Sequence, residues 1–110
     1  MSVTADLLVA AGYAANSETT IYTSTGLRTI LDKFTVYNSH TAPIVYVVKL
    51  VPSGIAAAAS HIIVSKTVAP GETYTLPEVI GHVLESGGFI SEAADAASKL
   101  VRRVSGRKVS

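Results

Sequence analysis

Cysteine and tryptophan are absent from this sequence, and charge is scarce. Without cysteine there is no disulfide framework, no thiolate metal site and no cysteine nucleophile, which fits a reducing cytosol or a protein indifferent to redox state. Only 17 of 110 residues are Asp, Glu, Lys or Arg, too few for a chain kept disordered by charge. No run approaches the about 18 to 20 apolar residues of a membrane span. Met1 to Ala15 carries Asp6 and Gly12 but no Lys or Arg, unlike the basic start of a signal peptide. The expectation is a soluble chain with no membrane partner.

What is present is apolar. Hydrophobic residues make up 48% of the chain and mean hydropathy is +0.40, ample for the single core that a domain of this length supports. Even allowing for 15 alanines, the supply exceeds what a small domain hides, and the excess points to a partner surface or self-association.

The apolar residues fall in short β-branched runs separated by turn residues. Leu27–Asn38 places Ile30, Phe34 and Val36 on one parity and Leu27, Leu31 and Tyr37 on the other, the pattern of a strand covered on both faces. Residues 38–43 supply turn chemistry and Pro43–Val51 is the clearest strand, so the two segments are expected to pair as a hairpin. Ile55–Ser60 reads as a loop and His61–Val68 as a strand, ending at Pro70-Gly71 in a type II turn. Thr73–Leu76 is a short strand, and Pro77–Leu84 has room for one short helix although Gly81 interrupts it. Phe89–Ala93 and Lys99–Ser105 are strands on either side of a turn at 95–98; Glu18–Thr23 is another, and Leu7–Ala11 could start a strand or a helix. About eight short strands with at most one short helix predict an all-β antiparallel sandwich or jelly roll over residues 1–110. It would carry an N-terminal arm at about 1–15 and a basic C-terminal strand or tail at about 99–110.

No constellation in the sequence carries chemistry. His40, His61 and His82 are scattered and lack ligands at metal-binding spacing. The serines have no nucleophile elbow or adjacent base, and Asp32, Glu72, Glu78, Glu85, Glu92 and Asp95 fall mostly near turns, where solvated charge is common. Gly87-Gly88 suits a tight turn better than a phosphate cradle. The expectation is a chain that is not an enzyme, with no cofactor and no metal.

Charge is unevenly placed: residues 1–98 sum to −4 and residues 99–110 to +5. Arg102, Arg103, Arg107 and Lys108 could dock on an acidic partner or simply solvate an edge strand. Few aromatics interleave with them, which argues against nucleic acid. Leu7, Leu8 and Val9, on the N-terminal arm, are the other contact candidates. Reversing Arg102 and Arg103 to Glu should weaken docking and leave the fold intact.

The segments IYTSTGLRTILDKFTVYNSHT, LVPSG and VAPGETYTLPEVIGHVLESGGFIS resemble the capsid staple, cement or decoration proteins of short-tailed phages across roughly residues 18–106. The resemblance implies a jelly-roll subunit on the exterior of the virion's icosahedral capsid. There it would bridge copies of the major capsid protein, as a homodimer or homotrimer. It carries no fixed site motif. Two alternatives stay open: a tail, fibre or head-fibre module that binds a host receptor or carbohydrate, and, third, a cupin-like enzyme.

Overall fold

Strands form where β-branched and aromatic residues concentrate, and the chain turns where Gly, Pro, Asn and Ser gather. The computed structural model describes residues 2–110. Its strands are β1 (Val3–Tyr13), β2 (Thr19–Thr23), β3 (Arg28–Asn38), β4 (Ile44–Val51), β5 (Ile62–Val68), β6 (Thr73–Tyr74), β7 (Val83–Leu84), β8 (Phe89–Ala94) and β9 (Leu100–Val109), with a single 3-10 turn at Ala59–His61. Every pairing is antiparallel. Sheet A runs β1-β9-β3-β6, with β7 also on β3, and sheet B runs β2-β8-β4-β5. Each sheet sets an early strand beside a late one, β1 with β9 and β2 with β8, which is the wrapping of a jelly-roll sandwich.

This wrapping corrects the expected hairpin. β3 and β4 follow one another in sequence but belong to opposite sheets, and they meet through side chains across the core. Phe34 of β3 packs edge-on against Tyr46 of β4 with ring centroids 6.1 Å apart, a geometry worth about 1 kcal/mol beyond area burial. Leu31, Phe34, Val36, Leu100 and Val104 from sheet A and Ile44, Tyr46, Val48, Val64 and Ile90 from sheet B form the centre of that core. The connection from β3 to β4 is stapled by buried Asn38, whose side chain donates to the carbonyls of Ala42 at 3.0 Å and Val68 at 2.9 Å and accepts from the His40 N–H at 2.8 Å.

The two-sided apolar pattern of β3 has a different cause from the one expected. Leu31 pairs with Gly106 and Lys33 with Ser105, leaving Asp32 as the extra residue of a β-bulge. The bulge switches the inward parity, so odd Leu31 and even Phe34 and Val36 all face the core. β1 has its own bulge at Leu8 beside the same stretch of β9. Between the two bulges lies buried Gly106, where a Cβ would stand 2.2 Å from the Ile30 carbonyl oxygen. Only glycine lets the backbones come that close.

The segment read as a possible helix is a series of turns between β6 and β7, which pair with opposite ends of β3. Pro77 and Gly81 break any periodicity, and buried Leu76 and Val79 drop into the core. Leu76 sits at φ +37°, a conformation unfavourable for a bulky residue that its fully buried side chain holds in place. The Pro70-Gly71 turn is as expected, with Gly71 at φ +75° and the Glu72 N–H bonded to the Ala69 carbonyl at 3.0 Å.

Both termini are built into sheet A. The N-terminal arm is an 11-residue edge strand paired along β9, and the basic tail is that strand's neighbour, running to Val109 between β1 and β3. Ser110 and Ser2 are joined by reciprocal hydrogen bonds.

Candidate interaction face

Strand alternation decides what each basic residue can do, because neighbours in sequence point to opposite faces. Arg102 shares the inward parity of Leu100 and Val104. Its Nε lies 3.2 Å from Oε1 of Glu92, a residue of β8 with a fully buried side chain. The same carboxylate accepts from the Tyr46 hydroxyl at 2.6 Å and from the Ala15 N–H at 3.1 Å. The buried phenol beside this carboxylate has its pKa raised well above the ordinary tyrosine value by burial and by Glu92. Glu92, Tyr46 and Arg102 thus form a polar clamp across the sandwich, with no buried polar side-chain atom left without a partner. Arg102 is therefore engaged across the core, and the expectation that reversing it spares the fold does not fit this arrangement. A glutamate at 102 would face Glu92 with no cation between them.

The other three basic candidates separate as well. Arg107 forms a two-point pair with the bulge residue Asp32, at 2.9 and 3.0 Å, and Lys108 lies 2.7 Å from Asp6. Both bonds hold strands of sheet A side by side, and each raises the basic group's pKa. Arg103 alone points outward without a carboxylate partner among the described residues. Of the apolar candidates, Val9 is in the core, Leu8 packs against it and Leu7 is exposed.

Sequence reasoning missed Lys33. Its cross-strand partner is Ser105, and the next outward pair is Thr35 with Arg103, so Lys33 and Arg103 are diagonal neighbours on the outer face of sheet A. Six of the eight carboxylates are engaged by six other cations, which leaves Lys33, Arg103 and Lys99 as the unpaired cations among the described residues. Lys33 and Arg103, with Thr35, Tyr37, Val101, Ser105 and part of Arg102, line an open trough of about 280 Å³. Tyr13 and Tyr37 flank Val101 in one cross-strand row and are half exposed. The face therefore combines two free cations with hydroxyls and aromatic surface, suited to a partner that presents carboxylates beside apolar groups. Lys33 could have been found only through the Asp32 bulge, which sets its register.

The outer face of sheet B is chemically different. Val45 and Val47 of β4, Ser65 and Thr67 of β5, and Ala93 of β8 share it with Lys49, whose cross-strand partners are Ile62 and Ser91 and whose charge is met by Glu18. His40 and His82 lie on separate loops and His61 ends the 3-10 turn, where its Nδ1 accepts the Ala58 N–H at 3.0 Å. Among the described residues no three His, Cys, Asp or Glu side chains converge as a metal site requires. No helix is long and apolar enough to cross a membrane. No protein-family model matches the chain, and no curated protein is significantly similar to it.

Proposed function

We propose that this chain is a binding subunit that decorates the outside of a phage capsid. In this reading it docks the outer face of sheet A on acidic patches of the major capsid protein and so staples neighbouring subunits. The observation that carries the reading is the pair Lys33 and Arg103, left uncompensated on a surface where most other charge is matched and set beside Tyr37 and Val101. Jelly rolls serve capsid, lectin and cupin roles alike, so the fold does not choose among them. The likeness of the turn segments to phage staple proteins supplies the capsid as partner, and the charge supplies the face.

The test is addition of the purified protein to capsids that lack it. The proposal expects saturable binding in fixed ratio to the major capsid protein, loss of binding at high salt, and greater resistance of the decorated capsids to heat. Absence of binding, together with retention on host cells or glycans, would instead identify a tail or fibre module that binds a receptor.

A further inference from the structure

We propose that the chain forms a two-fold dimer by antiparallel pairing of β1 with β1 of a second copy, centred on Ala5; this inference stands apart from the capsid reading. The reason lies in the edges. Exposed strand edges invite pairing and are usually blunted by shortness, Lys, Pro or bulges. The opposite side of sheet A is closed by the two-residue strands β6 and β7. In sheet B, β2 has five residues with a bulge at Ile21, and β5 carries Lys66 and a bulge at Ile63.

β1 has 11 residues and no Lys, Arg or Pro. Its one charge, Asp6, is met by Lys108, and its bulges begin only after Leu7. From Val3 to Leu7 its register on β9 is unbroken, and the bonds between Ser2 and Ser110 secure its start.

The sequence of that regular segment, VTADL, is self-complementary. Val3, Ala5 and Leu7 point to the outer face of sheet A, where Val3 is 56% and Leu7 44% exposed, while Thr4 and Asp6 point the other way. A two-fold axis through Ala5, perpendicular to the sheet, keeps faces together. It sets Val3 against Leu7 of the partner subunit, Ala5 against Ala5 of the partner subunit, and Thr4 within hydrogen-bonding reach of Asp6 of the partner subunit. Moving the axis to Asp6 would oppose two like charges directly, which disfavours that register. The large exposed apolar side chains of this segment are thus covered in one arrangement. The two copies of sheet A become one continuous sheet, and both Lys33–Arg103 pairs lie on the same side of it.

The chain has no cysteine, so single-cysteine variants give a clean test. Ala5 and its symmetry mate would have Cα atoms about 5 Å apart, within the range a disulfide spans. Mild oxidation of Ala5→Cys should trap a covalent dimer in high yield, whereas Thr67→Cys, on the β5 edge, should stay largely uncrosslinked at the same concentration. Light scattering of the unmodified protein at high micromolar concentration should give twice the 11.4 kDa chain mass. Leu7→Lys should return it to monomer with unchanged circular dichroism. A monomeric or trimeric parent protein, equal crosslinking of the two cysteine variants, or a dimer that survives Leu7→Lys would each overturn the proposal.

Discussion

The two sheets contribute to one core yet turn opposite chemistries to solvent. Sheet B's outer face has its central charge matched, Lys49 by Glu18, amid valine, alanine and hydroxyl side chains. Sheet A's outer face presents Lys33 and Arg103 without carboxylate partners, beside Tyr37 and Val101. A small sandwich gains little stability from exposed charges, so the asymmetry makes sense as recognition more than as folding. Its lesson is that a basic segment acts through strand parity. The same stretch of β9 sends Arg102 inward to hold the sheets together, Arg103 outward to solvent, and Arg107 and Lys108 sideways to tie the neighbouring strands.

That division can be broken at its inward side first. Arg102→Leu leaves buried Glu92 without its cation and should cost about 3 to 5 kcal/mol, read as a large drop in the denaturant midpoint. Arg103→Leu, one residue away, should change stability by less than about 0.5 kcal/mol. Equal losses at the two positions would show that parity does not separate them. Gly106→Ala comes next: the added methyl would press on the Ile30 carbonyl between two bulges, for a loss of about 2 kcal/mol, whereas Gly54→Ala, with open space around it, tests only its positive φ and should cost less.

The smallest effect concerns the clasp at sheet A's short edge, where the Tyr74 hydroxyl donates to both Glu78 oxygens at 2.7 and 2.6 Å. That bond raises the Tyr74 pKa to about 12 and lowers that of Glu78. A raised phenol contributes stability below the ordinary tyrosine range and loses it as pH rises through about 12. The depressed carboxyl contributes above the ordinary carboxyl range and loses it as pH falls through its lowered value. Alkaline titration of tyrosinate absorbance should show one exposed phenol ionising late, and Tyr74→Phe should remove that step.

Much of this fold is legible in the residues. Ile44–Val51 and Ile62–Val68 announce themselves by β-branching, and Pro70-Gly71 and Gly87 mark turns that adopt positive φ. Apolar patterning reports that a residue is buried but not what buries it. The pairing of β1 with β9, from opposite ends of the chain, was therefore invisible, and adjacency wrongly suggested a β3–β4 hairpin. The inserted residue at Asp32 resembled a two-sided strand because a bulge and a covered strand leave the same mixed parity. For the candidate face, the basic cluster drew attention to β9 and to Arg103. Separating Arg103 from Arg102 requires knowing what lies across the core, and joining it to Lys33 requires the register across the bulge.

The claim that sheet A's outer face is the docking surface is tested most directly by capsid binding of two matched double variants over a range of salt concentration. Lys33→Glu with Arg103→Glu should lower affinity about tenfold or more, or at least about 1.4 kcal/mol, and flatten the salt dependence. Ser65→Glu with Thr67→Glu, on sheet B, should bind as the parent does. Equal binding by the sheet A variant, or selective loss in the sheet B variant, would contradict the account.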